Sequence, residues 1–358
     1  MANIVDYVKW RGDLDFHAAP FNVVDAMVLC EAVYFGFDGV INADLNERKT
    51  LGEACSENVL DPLPSYLDEI DLELCRLIKE NPRFSEIKAA GFVNEISEKD
   101  NVQFCAMTCF LGEDLTAVIF RGTDNSLVGW KENMDLAYND EVPAQKRALQ
   151  YLKNVADNVP GRLVVAGHSK GGNLAIYSAA FSEKELQDRI VRIFNFDGPG
   201  FNARVIQKEN FQTILDKAVT FVPQDSVIGL LLEHKEPVSV VHSEETNGFA
   251  EHHLCTWTVV RNGVLKEEKI SKSGENNREN LSEWIAGMSD EEKREFIKAA
   301  YELVEEYKTT EELFTVKNIW KVIQSYRSMT EEQKKSVSFA IGELKNTIIG
   351  NMKEKFLG

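Results

Sequence analysis

The sequence has little that suits a membrane or an export pathway. No uninterrupted apolar stretch approaches the roughly 20 residues that a membrane-spanning helix needs. Residues 1–6 lack the basic region followed by an apolar run that is typical of a secretory signal peptide. We therefore expect no integral membrane segment, and the expected location of the chain is the cytoplasm.

Basic residues are also outnumbered by acidic ones. The 358 residues include 40 Lys and Arg against 58 Asp and Glu, which gives a formal net charge of −18. A surface this negative repels phosphate backbones and anionic headgroups, so nucleic acid and bulk membrane are not expected partners. The hydrophobic fraction of 44% and the charged fraction of 27% are ordinary for a globular protein.

The six cysteines form no CxxC pair. Cys105 and Cys109 do not alternate with histidines at the spacing of a metal site, which argues against zinc. Most of the cysteines have apolar neighbours, so buried free thiols in a reducing compartment are the expected state. We predict no metal site.

Residues 1–85 are predicted to be mainly helical. Apolar residues at helical spacing predict one helix over residues 23–37 and a second, interrupted by proline, over residues 60–77. We expect this segment to pack beside a sheet rather than to carry chemistry.

Between residues 88 and 260, short runs of strand-forming residues alternate with helical stretches. The predicted helices cover residues 143–155 and 171–181. The predicted strands cover residues 91–93, 102–107, 115–120, 162–166, 191–196, 218–222 and 238–241. This alternation predicts an α/β fold with a mostly parallel central sheet flanked by helices. The run 254–260 is expected to close the sheet.

The chain turns polar after residue 262 and is predicted to be helical again from residue 280. Ser289-Asp290-Glu291-Glu292 is typical of a capping box at a helix start. We therefore predict a first domain over residues 1–262 and a helical C-terminal extension over residues 280–358. Such an extension could form a lid or bind a protein partner.

The clearest chemical signal is Gly167-His168-Ser169-Lys170-Gly171, which lies between a predicted strand and a predicted helix. Strand, tight turn and helix form the setting that a G-x-S-x-G nucleophile elbow requires. The helix that follows directs its free N–H groups at the site, where they can stabilise an oxyanion. We predict that Ser169 is a nucleophile; the alternative is a glycine-rich turn without one.

A nucleophilic serine needs a histidine base and a carboxylate that orients the histidine, and in this setting the chain order is serine, acid, histidine. The loop after the last predicted strand offers His252 and His253, of which His252 is favoured. Asp197 and Asp225 follow the first and second strands after the elbow. Asp225 is favoured because the second strand is the usual position of the acid. Asp197 precedes Gly-Pro-Gly and is more readily a turn residue.

The oxyanion needs two donors. One is predicted to be the backbone N–H of Lys170, directly after the nucleophile. The second is predicted to be Thr123, in Arg121-Gly122-Thr123-Asp124, because that loop follows an early strand. An ordinary polar turn is the alternative for this loop.

These motifs resemble a known family. Phe120-Arg121-Gly122-Thr123, the elbow around Ser169 and Asp225-Ser226-Val227 are similar to the class 3, or fungal-type, lipases of the α/β-hydrolase superfamily. The elbow is more similar still to an uncharacterised bacterial group of lipase-like proteins that share G-H-S-K-G-G-N-L-A. The resemblance covers roughly residues 1–260. It implies an esterase- or lipase-type serine hydrolase that cleaves a small-molecule acyl ester without metal or organic cofactor.

Lys170 departs from the class 3 pattern, which has leucine at this position. A cation beside the nucleophile could attract anionic substrates, which argues against a neutral triacylglycerol. The alternative is that Lys170 pairs with a carboxylate such as Asp124 or Asp197. A non-catalytic scaffold that keeps the fold and binds partners through its C-terminal helices is the alternative function.

Overall fold

The computed structural model describes residues 1–57, 59–61, 67–124, 126–136, 138–245, 250–272, 274, 275 and 291. Apart from Glu291, the predicted C-terminal extension over residues 280–358 lies outside the described residues. Within the described ranges, no helix is both long enough and apolar enough to cross a bilayer.

Eight strands form the central sheet, and they lie side by side in the order in which they occur in the sequence. The pairings from β1 to β4 are antiparallel and those from β4 to β8 are parallel. The strands are β1 (Lys49–Thr50), β2 (Lys88–Ser97), β3 (Val102–Phe110), β4 (Leu115–Phe120), β5 (Arg162–His168), β6 (Ile190–Phe196), β7 (Ala218–Pro223) and β8 (Val238–Val241).

Helices cover both faces of this sheet, so the predicted α/β fold is confirmed. The helices are α1 (Ile4–Arg11), α2 (Val23–Ala32), α3 (Leu51–Ala54), α4 (Glu69–Glu80), α5 (Pro82–Ser85), α6 (Leu127–Asp135), α7 (Pro143–Asn158), α8 (Lys170–Ala180), α9 (Lys184–Arg189), α10 (Ala203–Ile206) and α11 (Glu209–Gln212).

Alternate residues of the strands build two separate hydrophobic layers. In β5, Val164 and Ala166 belong to the layer under the N-terminal helices, whereas Leu163 and Val165 belong to the layer under α7 and α8. This alternation follows from the two-residue period of a strand. Because both faces of the sheet are covered, its central strands are almost uniformly apolar, and all nine residues of β3 are buried.

The N-terminal helices pack beside the sheet as predicted. Every residue of α2 after Val23 is buried, and α2 packs against α1, α4 and the strands β4 to β6. A buried ion pair fixes this arrangement, since Arg83 Nη2 lies 2.6 Å from Asp25 Oδ2 and both side chains are fully buried. Through these contacts the end of α2 is held beside the carboxyl ends of the central strands.

The expectation that residues 254–260 close the main sheet is wrong. Leu254–Thr256 is a short 3₁₀ helix, and β9 (Val259–Val260) pairs with β10 (Gly263–Val264) in a separate two-stranded sheet. Side chains interrupt the extended conformation here. His253 Nδ1 accepts the Cys255 N–H at 3.3 Å, and the Trp257 indole donates to the Glu251 carbonyl at 2.7 Å.

Candidate active site

Ser169 lies in the tight turn between the end of β5 and the start of α8, as predicted. Its backbone has φ +56° and ψ −132°, a conformation that non-glycine residues rarely adopt. Holding such a conformation costs about 1–3 kcal/mol, so the surroundings must impose it. Hydrogen bonds do so on both sides, from Ser169 N–H to the Phe196 carbonyl at 2.8 Å and from Gly172 N–H to the Ser169 carbonyl at 2.9 Å.

The two glycines of the elbow are required by close backbone contacts. A Cβ atom at Gly167 would lie 2.1 Å from the Gly171 carbonyl oxygen, and a Cβ atom at Gly171 would lie 2.1 Å from the Phe120 carbonyl oxygen. Neither neighbour is a flexible side chain that could move aside. The strand, turn and helix can therefore pack this tightly only with glycine at both positions.

His252 is hydrogen bonded to Asp197 rather than to Asp225. Its Nδ1 lies 2.6 Å from Asp197 Oδ2, and Asp197 is fully buried directly after β6. Because a carboxylate only accepts, Nδ1 carries the proton, and Nε2 of the neutral ring is left as the basic atom. Ser226 Oγ donates to the other oxygen of Asp197 and fixes the carboxylate from below.

Further contacts bring His252 to the elbow. The rings of His168 and His252 lie 4.5 Å apart, and His168 Nε2 lies 2.8 Å from the His252 carbonyl oxygen. A Cβ atom at Gly198, the residue after Asp197, would lie 2.3 Å from the Ser169 carbonyl oxygen. Asp197 and His252 therefore lie next to the elbow of Ser169 at the carboxyl ends of β5 and β6, and the described residues show no hydrogen bond between the Ser169 hydroxyl and His252.

The prediction that Asp225 orients the histidine is corrected. In the described part of the chain Asp225 makes no hydrogen bond to His252: its Oδ1 accepts from Ser271 Oγ and its N–H donates to Glu251 Oε2 at 2.8 Å. Asp197, whose backbone has φ +50°, is the residue that contacts His252. Within the motif Asp225-Ser226-Val227, Ser226 is the residue that contacts the site, because its hydroxyl donates to Asp197.

Glu251 and Asp225 form an acidic pair next to the base. Burial, with a contribution from the Asp225 carboxylate, raises the pKa of Glu251 to about 7. Glu251 therefore holds a proton for much of the time at neutral pH, and Asp225 takes part in fixing the loop instead of fixing the imidazole.

The loop of Thr123 lies directly against Ser169. A Cβ atom at Gly122 would lie 2.8 Å from Ser169 Cβ. The Thr123 hydroxyl accepts from Asn133 Nδ2 at 2.7 Å, which fixes the residue within the loop. The backbone N–H groups of Thr123 and Lys170 are therefore the candidate oxyanion donors, and the second begins α8.

The Lys170 ammonium group is buried. Its Nζ lies 2.8 Å from Glu132 Oε2 and donates to the Gln103 carbonyl at 2.6 Å. Burial lowers the pKa of Lys170, and the Glu132 carboxylate opposes this effect. The suggestion that this cation attracts anionic substrates is wrong, because Lys170 ties the start of α8 to β3 and α6.

The carboxylates named as partners of Lys170 have other partners. Asp124 pairs with Arg121 at 3.2 Å, and Asp197 pairs with His252. Lys170 does pair with a carboxylate, as the alternative predicted, but that carboxylate belongs to Glu132. Nothing in the sequence around Lys170 identifies Glu132 as its partner.

Tyr34 is a site residue that the sequence did not reveal. Its hydroxyl accepts the Gly122 N–H at 3.0 Å and lies 3.1 Å from His168 Nδ1. It thereby connects the oxyanion loop to the elbow. The N-terminal segment therefore packs beside the sheet as expected and also contacts the candidate site, which could not be foreseen because Tyr34 looks like an ordinary core residue in the sequence.

His253 does not share the position of His252. Its Nε2 lies 3.6 Å from Asp71 Oδ2 and 3.9 Å from Glu31 Oε1. Burial alone would lower the pKa of His253, but the nearby Glu31 and Asp71 carboxylates raise it to about 9. Of the two adjacent histidines, the geometry supports His252 as the base.

Comparison with known proteins gives a family and a set of distant structures. The sequence profile of the Mbeg1-like family matches residues 78–302. The crystal structure of a fungal lipase is 12% identical, with 71% of this chain and 90% of that chain covered and a TM-score of 0.41. No curated protein sequence matches this chain.

Two further structures are similar at the same level. A mutant form of MDLA from Penicillium cyclopium is 13% identical over 53% of this chain and 74% of that chain, with a TM-score of 0.35. The propeptide complex of Rhizomucor miehei lipase is 11% identical over 66% of this chain and 80% of that chain, with a TM-score of 0.35. The roles of individual residues therefore rest on the geometry of this chain alone.

Proposed function

The chain belongs to the Mbeg1-like family, and we propose that it is a serine hydrolase that cleaves carboxylic esters through an acyl-enzyme on Ser169. One observation carries the proposal. A serine is held at φ +56° in a strand–helix turn, and the loop packed against that turn through His168 carries a histidine whose Nδ1 is 2.6 Å from a buried aspartate. This combination matches the requirements for an activated serine nucleophile.

In the proposed reaction, Ser169 Oγ attacks the acyl carbonyl carbon while His252 Nε2 takes the hydroxyl proton. Asp197 keeps the proton on Nδ1 and stabilises the imidazolium ion that forms. His252 then gives its proton to the departing alkoxide, which leaves as an alcohol. Water attacks the acyl-enzyme in the same manner and releases the carboxylic acid.

The negative charge on the carbonyl oxygen is assigned to the backbone N–H groups of Thr123 and Lys170. The positive end of the α8 dipole adds to this stabilisation, because the helix begins at Lys170. Losing one donor of such a pair lowers kcat by about 10²–10³-fold. The buried Lys170 side chain holds this end of α8 in place.

The proposed substrate is a small-molecule acyl ester. Because the Lys170 ammonium group is paired with Glu132, it offers no free charge to the substrate. Lys170 therefore gives no reason to exclude neutral esters as substrates.

Substitution of the nucleophile tests the proposal. Ser169→Ala should abolish hydrolysis of short p-nitrophenyl esters and labelling by a fluorophosphonate probe, while the circular dichroism spectrum stays that of the wild-type protein. Ser178→Ala is the matched control, because Ser178 is a buried serine of α8, the helix that begins directly after Ser169. This variant should keep both the esterase activity and the labelling. Unchanged turnover by Ser169→Ala would exclude the assignment, and a wild-type chain that stays unlabelled would favour a non-catalytic scaffold.

A further inference from the structure

Four potential metal ligands from distant parts of the chain meet next to the loop that carries His252. Glu31 lies on α2 and Asp71 lies on α4. His253 directly follows His252 in the loop, and Cys255 lies in the short 3₁₀ helix that comes next. One ligand atom from each residue lies within 4.8 Å of the other three. None of these side chains has a part in the proposed reaction.

The two carboxylates of the cluster are buried with oxygen atoms left unpaired. Glu31 is 3% exposed and Asp71 is fully buried. Glu31 Oε2 and Asp71 Oδ1 have no hydrogen-bond partner among the described residues. An unpaired carboxylate oxygen in the interior is costly. His253 faces the other oxygen of each carboxylate, and a bound cation would also pair the two oxygens that remain.

We propose that Glu31, Asp71, His253 and Cys255 bind a divalent transition-metal ion, for which Zn²⁺ is the best match. Imidazole, thiolate and carboxylate are the ligands that zinc takes, and four of them complete a tetrahedral structural site. The thiol and imidazole exclude Mg²⁺ and Ca²⁺, which prefer oxygen ligands throughout.

Two separations between ligand atoms are near those of a zinc site, and the four ligand atoms, which lie within 4.8 Å of one another, would close up around an ion. At metal–ligand distances of about 2.0–2.2 Å, two ligands of a tetrahedral zinc ion lie about 3.3–3.6 Å apart. His253 Nε2 lies 3.6 Å from Asp71 Oδ2 and 3.9 Å from Glu31 Oε1. His253 Nδ1 accepts the Cys255 N–H at 3.3 Å. Coordination of a metal through Nε2 places the ring proton on Nδ1, so this hydrogen bond must break when the ion binds.

A metal at this position would tie α2 and α4 to the residue that follows the base. His253 is adjacent to His252 in the chain, so fixing one limits the movement of the other. This consequence for catalysis rests on the proposed function, whereas metal binding itself does not. The four ligands are positioning residues in this respect, because they touch neither the substrate nor Ser169.

Metal titration of the full-length protein tests the site. After treatment with a chelator, the protein should take up one equivalent of Zn²⁺, and its melting temperature should rise. Co²⁺ should bind in the same place and give a thiolate-to-cobalt charge-transfer band, which reports on the cysteine ligand. A protein that takes up no stoichiometric zinc, or whose cobalt complex lacks this band, would overturn the proposal.

Two cysteine variants make the test specific. Cys255→Ala should abolish the cobalt band and weaken zinc binding by about 100-fold or more, since the loss of a supporting residue alone costs about 10–100-fold. Cys109→Ala is the matched control, because Cys109 is buried in the same hydrophobic layer but lies outside the cluster. Equal zinc affinity in the two variants would contradict the proposed ligands.

Two more variants cover the remaining outcomes. If Cys255→Ala does not fold, Glu31→Gln keeps the side-chain volume, and its zinc affinity should fall in the same direction. Ser169→Ala should bind zinc like the wild-type protein. Zinc binding with no esterase activity would therefore refute only the proposed reaction, and esterase activity with no zinc binding would refute only the metal site.

Discussion

The two halves of the candidate active site are held in place by different kinds of contact. Ser169 lies between a buried strand and a buried helix, so two regular elements fix its backbone. His252 lies among turns, and hydrogen bonds to other parts of the chain fix it: Nδ1 to Asp197, and its carbonyl oxygen to His168 Nε2. The proposed nucleophile is positioned by main-chain geometry and the proposed base by side-chain contacts.

This difference predicts how each half responds to substitution. Changes around His252 should lower turnover and leave the fold intact, because the hydrophobic layers do not depend on them. Changes behind the elbow should lower the free energy of unfolding first, because every residue of α8 is buried. Substitutions in both halves of the site test this contrast.

His252→Ala is expected to have the largest effect. Without this imidazole, Ser169 has no group to take its proton, so kcat/KM for p-nitrophenyl butyrate should fall by about 10⁴–10⁶-fold. The melting temperature should stay close to that of the wild-type protein, because the His252 side chain is 21% exposed and packs at the edge of the site. Both quantities are measured on the same preparations.

His242→Ala is the matched control for this variant. His242 also pairs with a carboxylate, since its Nδ1 lies 2.8 Å from Glu267 Oε1, but it lies just after β8. Its turnover should stay within about twofold of the wild-type value, as for most surface substitutions. Comparable losses in the two variants would show that His252 has no special role.

Asp197→Asn and Asp225→Asn separate the two candidate acids. An amide at position 197 cannot stabilise the imidazolium ion and favours the wrong tautomer of His252, so kcat should fall by about 10³–10⁴-fold. Asp225→Asn should change kcat by less than about tenfold, because Asp225 bonds to Ser271 and Glu251. Steady-state kinetics of the two variants decide the matter, and the opposite ranking would return the role to Asp225.

Lys170→Leu tests the elbow half of the contrast. It leaves the Glu132 carboxylate buried without a cation, which should lower the free energy of unfolding by about 3–5 kcal/mol. The double variant Lys170→Leu/Glu132→Gln should recover much of this loss, because the neutral amide can still accept the Ala144 N–H. Urea denaturation measures both, and equal stability of the single and double variants would mean that the ion pair does not hold the elbow.

The sequence predicts the elbow well because all of its determinants are contiguous. The strand, the two glycines, Ser169 and the helix occupy one stretch of the chain, and each local preference supports the others. The fold class follows in the same way from alternating strands and helices. The number of candidates for the base could also be narrowed, because few histidines follow the elbow.

The remaining parts of the site depend on contacts that have no local signature. The choice between Asp197 and Asp225 turns on a backbone φ of +50° at Asp197, which the Gly-Pro-Gly that follows it did not reveal. The partner of Lys170 lies 38 residues upstream. Such pairs can be recognised only once the sheet has brought their elements together.

Tyr34→Phe tests the most distant of these contacts, and its expected effect is the smallest. It removes the hydroxyl that accepts the Gly122 N–H beside the oxyanion loop and keeps the ring in the core. Losing the partner of a buried donor costs about 1–3 kcal/mol. We expect kcat to fall by about tenfold with KM little changed, because the hydroxyl positions the loop without touching the substrate.

Tyr151→Phe shows whether that loss of turnover is specific. The Tyr151 hydroxyl is also buried and donates to the Gly91 carbonyl at 2.7 Å, but the ring belongs to the hydrophobic layer on the other face of the sheet. The two variants should lose similar amounts of stability, and only Tyr34→Phe should lose turnover. If kcat falls equally in both, general loosening of the core explains the effect, and Tyr34 has no part in positioning the oxyanion loop.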